Sequence, residues 1–141
     1  MTAGGFYAFH GAHYRIDDIK LCPVPTKPIP ILIGGHSEPA LRRAARIGDG
    51  WMHAGSDNLD AMLTRLAALR REYGRERQPF ETHAISFDAY TLDGVRGLED
   101  LGVTDVIVGF RNMYERDTVA LDDKLDALRR YADDVIAKAE P

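Results

Sequence analysis

The chain has 141 residues, of which 45% are hydrophobic and 28% charged, a balance that fits one soluble globular domain. Its net charge is −4, and the basic residues are scattered over stretches that also carry acids, which argues against a sequence-independent nucleic-acid partner. No run approaches the ~20 apolar residues of a membrane span, so no membrane association is expected.

The lone Cys22 cannot form an internal disulfide, and Met1-Thr-Ala-Gly-Gly5 has neither a basic region nor an apolar signal core. Both features point to a cytoplasmic setting. Residues 1–28 read as an irregular, extended segment punctuated by Gly4-Gly5, Gly11 and three prolines. Short strands are expected around Tyr14–Ile16 and Ile19–Leu21, paired as a hairpin. Pro23 to Pro28 forms an extended connector into a regular domain, 29–141.

That domain opens with an apolar run, Ile29 to Ile33, which ends at Gly34-Gly35. Pro30 is tolerated at the start of such a strand. A helix follows from Glu38 to Ile47. Ser37 supplies an N-cap, Glu38 complements the helix dipole, and Pro39 suits the first turn. Gly48 stops it, and a second strand covers Gly50 to His53. Gly55-Ser56-Asp57 then reads as a loop and cap. The long helix after it carries one apolar stripe of Leu59, Met62, Leu63, Leu66, Leu69 and Tyr73, and Gly74 closes it.

A third strand is predicted at Thr82–Phe87, then a helix at Leu92–Leu101 that is weakened by Gly94 and Gly97. A fourth strand covers Asp105–Phe110. The last helix runs from Val119 to Lys138 with a stripe of Leu121, Leu125, Leu128, Ala132, Val135 and Ile136. The order βαβαβαβα predicts an α/β fold with a parallel sheet and right-handed crossovers. A small doubly wound sheet and half of a (β/α)8 barrel both fit; a whole barrel needs ~250 residues.

The Gly34-Gly35 turn is the best organised place for a ligand. Backbone N–H groups at a helix start favour an anion, most often a phosphate. The alternative is a plain tight turn in which glycine only satisfies geometry. His36 is either a phosphate donor or a surface loop histidine, whereas Ser37 is expected to cap the helix in either case. Gly-Gly-His-Ser is neither the dinucleotide fingerprint nor a P-loop with its lysine. His36, His53 and His83 match no tight ligand spacing, so no metal site is expected.

Four pieces together resemble the bacterial luciferase-like monooxygenase family. They are Phe9-His-Gly-Ala-His-Tyr14, Pro23-Val-Pro25, Pro28-Ile-Pro-Ile-Leu-Ile-Gly-Gly35 and Ser37-Glu-Pro-Ala-Leu-Arg-Arg-Ala-Ala-Arg-Ile-Gly-Asp-Gly-Trp51. Leu101-Gly-Val-Thr-Asp-Val-Ile-Val108 is similar to the family's last strand and the turn before it. The resemblance implies the C-terminal half of a TIM barrel, four parallel βα units, completed by oligomerisation as a homodimer or larger assembly.

It further implies an oxidoreductase or monooxygenase whose cofactor is FMN or coenzyme F-420, acting on an unknown small-molecule substrate. Gly34, Gly35, His36 and Ser37 would hold the cofactor's phosphate tail, and Gly50, Trp51 and His53 would line the site at the next strand. For Trp51 the competing reading is a core residue. The half that supplies most of the ring pocket and the usual catalytic side chains is not among these residues. Catalytic residues are therefore not assigned, and a non-catalytic oligomerising remnant with an anion-binding loop is the alternative.

Overall fold

A computed structural model describes residues 4–20, 22–55, 58–111 and 114–139. They fall into two units, one reaching to Pro30 and one starting at Ile31. In the first, β1 (Tyr7–His10) pairs antiparallel with β2 (Arg15–Ile19), in the register Phe9↔Ile16 and His10↔Arg15. Gly11 N–H donates to the Tyr14 carbonyl at 2.9 Å and closes the turn. The hairpin is therefore earlier than the sequence suggests: Tyr14 belongs to the turn, and the first strand precedes Gly11. Leu21 lies outside the described residues.

The second unit holds β3 (Leu32–Gly34), α1 (Glu38–Ile47), β4 (Gly50–His53), α2 (Leu59–Glu72), β5 (Glu81–Ile85), α3 (Leu92–Asp100) and β6 (Asp105–Ile107). The strands form a parallel sheet in the order β3-β4-β5-β6. The order never reverses, as a doubly wound sheet would require. Register places Ile33 beside Trp51, Trp51 beside Thr82, and Ala84 beside both His53 and Val106. Strand residues alternate between faces, so this row shares one face.

Helices cover that face. Leu41, Ala44 and Ala45 of α1 and Leu66 and Leu69 of α2 pack on Trp51 and Ile33. Leu98 of α3, with Val103, packs on Ala84 and Val106. The whole apolar stripe read from α2 takes part in these clusters. At its C-terminus Gly74 has φ +66. Gly74 N–H bonds to the Arg71 carbonyl and Arg75 N–H to the Arg70 carbonyl, the paired bonds of a Schellman cap. At its start Asn58 stands at the N-cap; Ser56 and Asp57 lie outside the described residues.

The opposite face carries Leu32, Met52, Ile85 and Ile107, of which Met52, Ile85 and Ile107 are exposed. The predicted last helix is divided into α4 (Leu121–Tyr131), a π-helical turn (Ala132–Ile136) and α5 (Ala137–Ala139). Only Val135 of its apolar stripe is fully buried, while Leu121, Leu125 and Leu128 face solvent. No helix among the described residues is long and apolar enough to cross a membrane.

Two strand ends differ from expectation for a local reason. The Ser86 hydroxyl accepts the Asp88 N–H at 3.2 Å and starts a 3₁₀ turn, Phe87–Tyr90, so β5 stops at Ile85. β6 stops at Ile107, and the Tyr90 hydroxyl then donates to the Gly109 carbonyl.

Candidate functional site

The site is built at the C-terminal ends of the strands. After β3 the chain turns through Gly34-Gly35-His36-Ser37 into α1. Gly35 has φ +108, and a Cβ there would sit 3.0 Å from the Ala40 Cβ, so only glycine fits without strain. Gly34 differs: it has no left-handed φ and nothing within 4 Å of where its Cβ would lie. The fold itself gives Gly34 no reason to be glycine. The place where its Cβ would lie is open space at the C-terminal end of β3.

Ser37 occupies the N-cap with φ −76 and ψ 152, but its side chain makes no capping hydrogen bond. The expected cap is instead its backbone carbonyl, which accepts from Ala40 N–H at 2.9 Å and Leu41 N–H at 3.0 Å. Pro39 removes one first-turn donor, which lessens the need for a hydroxyl cap. The exposed hydroxyl therefore stands at the positive end of the α1 dipole without a capping duty. Glu38, beside it, is neutralised. Arg65 Nη2 lies 2.5 Å and Arg42 Nε 2.8 Å from Glu38 Oε1, and the Arg65 hydrogen bond holds the carboxyl below its usual range.

Trp51 fills the core under this turn. It is fully buried and its Nε1–H donates to the Gly35 carbonyl at 2.9 Å. Its part is thus to fix the glycine loop from beneath. Gly50 is likewise structural, since a Cβ there would lie 2.7 Å from the Glu81 carbonyl across the sheet.

His53 is 2% exposed and stacks on His36, with ring centroids 4.7 Å apart. Backbone donors fix both rings. Ala54 N–H donates to His36 Nε2 at 3.1 Å, and Gly55 N–H to His53 Nδ1 at 3.3 Å. His36 is thereby tied to the end of β4, more ordered than a free loop side chain. Arg42 is engaged by Glu38 and Glu72, and His10 and His13 are exposed.

Next to His53 opens a cavity of about 500 Å³, lined among others by Ala54, Ile85, Ser86, Asp88, Tyr90 and Ile107. Its size suits a small organic ligand. The wall formed by Ser86, Asp88 and Tyr90 was hidden in the sequence, where Phe87 reads as the end of a strand. The Ser-x-Asp spacing, a signature of a side-chain-capped turn, was the available signal.

A four-stranded parallel βα sheet with a glycine loop and a cavity at the C-terminal ends of its strands is consistent with the luciferase-like TIM-barrel class. The luciferase-like monooxygenase family profile matches residues 1–94, and the chain belongs to that family. An uncharacterised protein of Mycobacterium tuberculosis is 53% identical over 142 residues, spanning 98% of this chain and 49% of that protein. An F-420-dependent hydroxymycolic acid dehydrogenase of the same organism is 33% identical over 77 residues, 54% of this chain and 21% of the relative. An F-420-dependent glucose-6-phosphate dehydrogenase of Nakamurella multipartita is 32% identical over 104 residues, 71% and 31% of the two chains. The chain spans about half the length of the first of these.

Proposed function

We propose that this chain is one half of a luciferase-like oxidoreductase barrel and that it holds the phosphate end of FMN or coenzyme F-420. The observation that carries the reading is Gly34. Its missing side chain leaves a cradle at the end of β3, beside the N-terminus of α1 and the uncommitted Ser37 hydroxyl. A phosphate there would meet backbone N–H groups and the positive end of the helix dipole. The residues present fit such a group.

In this reading Gly34, Gly35 and Ser37 bind the phosphate. His36 and His53 sit at the boundary between the phosphate and the cavity, and the cofactor's ring system supplies hydride or oxygen chemistry when bound. Trp51 and Gly50 support the loop from below. The naming of two related proteins as F-420-dependent favours the deazaflavin over FMN. The exposed Met52, Ile85 and Ile107 and the exposed stripe of α4 support completion of the barrel by a further half, supplied by a second copy of the chain in a homodimer or larger assembly.

The test is quenching of FMN or F-420 fluorescence on titration with the full chain, repeated with Gly34→Val. Saturable binding that the variant weakens by at least ~10-fold supports the site, since a side chain there occupies the cradle. Equal binding by both proteins rejects it, and no binding of either cofactor leaves a non-catalytic oligomerising domain. Sedimentation at micromolar concentration tests the second claim separately, because a monodisperse monomer removes the two-copy barrel.

A further inference from the structure

On the sheet face opposite the Trp51 and Ala84 side chains, three side chains from two adjacent strands converge. Glu81 and His83 are two apart on β5 and so point to the same side, while Asp105 of β6 lies directly opposite His83 in the parallel register. Glu81 Oε2 is 3.0 Å and Asp105 Oδ2 3.3 Å from the same atom, His83 Nε2. All three potential ligand atoms lie within 4.8 Å of one another. The group is separate from the glycine loop and from the residues lining the cavity beside His53.

Hydrogen bonding alone serves this arrangement badly. An imidazole nitrogen carries at most one hydrogen, so Nε2 cannot donate at full strength to two carboxylates. Two acids facing one nitrogen also repel each other. A cation between the three atoms removes both difficulties. With metal–ligand distances near 2.1 Å, neighbouring ligand atoms sit about 3.0 Å apart in octahedral and about 3.4 Å apart in tetrahedral geometry. The two His83 distances, 3.0 and 3.3 Å, fall within that span and are also those of ordinary hydrogen bonds, so the geometry is compatible with a metal ion.

The support around the group is that of a held ligand set. β5 is flanked by β4 and β6, so its side chains stand on rigid backbone. The Thr104 hydroxyl accepts the Thr82 N–H at 2.8 Å and lies 2.8 Å from Asp105 Oδ2 and 3.2 Å from the Thr82 carbonyl, its one hydrogen shared between these two acceptors, which places the carboxylate beside β5. Such outer contacts orient metal-binding carboxylates.

We propose that Glu81, His83 and Asp105 form a site for a divalent transition ion. One imidazole with two carboxylates selects Zn²⁺, Co²⁺, Mn²⁺ or Fe²⁺ over Mg²⁺ and Ca²⁺, which prefer oxygen alone. Three protein ligands leave further positions for water. Sequence spacing hides the site because Asp105 is far from Glu81 in the chain and is brought to it by strand register.

The test is a titration of the full chain with Zn²⁺ and with Co²⁺ alone, followed by calorimetry and by the ring resonances of His83. One saturating equivalent that shifts the His83 ring is expected. His83→Ala and Glu81→Gln should each weaken binding by at least ~10-fold, and Thr104→Val by about tenfold, with circular dichroism confirming the fold. The Gln variant keeps the side-chain shape and stands in should the Ala variant not fold. Absence of saturable binding, an unshifted His83 ring, or loss of binding on His36→Ala with His83→Ala unaffected overturns the proposal. Cofactor binding plays no part in these readouts.

Discussion

The indole N–H of Trp51 donates to the carbonyl of Gly35 at 2.9 Å, joining the most buried side chain of β4 to the loop that ends β3. The bond fixes one peptide of the glycine turn from inside the core. Trp51→Phe keeps an aromatic filler but removes the donor and leaves a small void. A loss of about 1–3 kcal/mol in denaturant unfolding is expected, because the Gly35 carbonyl is left without this partner. If the turn holds the cofactor phosphate as proposed, affinity for FMN or F-420 should fall as well.

Neighbouring glycines in that turn should respond in opposite ways. Gly35→Ala forces an L-residue to φ +108 against Ala40 and should cost about 1–3 kcal/mol in stability. Gly34→Ala meets nothing within 4 Å and should leave the unfolding midpoint nearly unchanged. Thermal unfolding of the two variants side by side checks the contrast. Equal destabilisation would show that Gly34 has a packing role and would remove the case for a cradle.

How far the sequence foretold this arrangement depends on the distance over which each signal acts. α1 and β4 fall where caps, glycines and apolar periodicity placed them, because those signals are local. The role of Trp51 was legible only as a choice between core and site, since its partner Gly35 lies across the sheet. The Ser37 side-chain cap did not form, as its own backbone carbonyl closes the first turn. Glu81, His83 and Asp105 meet only through the β5–β6 register, which no single segment encodes.

Gly94 reverses a sequence argument. Read locally, a glycine inside α3 lowers helix stability. In the fold, a Cβ on Gly94 would lie 1.9 Å from the Asp88 carbonyl oxygen, so the 3₁₀ turn and the start of α3 approach more closely than any other residue allows. Gly94→Ala should therefore destabilise by about 1–3 kcal/mol despite the better helix propensity of alanine. Chemical denaturation measures it. A stabilised variant would mean that the turn and helix readily separate.

Tyr131 ties the C-terminal helix to the cavity wall. Its hydroxyl donates to the Ala89 carbonyl at 2.9 Å, and its ring meets Phe110 edge-on at 5.5 Å. Burial, then the neighbouring Tyr90, raises its pKa above the ordinary 10.0. A raised pKa means that the folded state favours the neutral phenol. The stability it contributes is complete below pH 10.0 and is lost as pH rises through the folded value. Tyr131→Phe should cost about 1 kcal/mol at neutral pH through the lost hydrogen bond. The variant should also show a shallower alkaline decline in unfolding free energy than the parent, measured by urea titrations on both sides of that pH. The difference between the two curves therefore reports Tyr131 together with its electrostatic coupling to Tyr90. Parallel alkaline curves would place the Tyr131 hydroxyl in water and detach the last helix from the Phe87–Tyr90 turn.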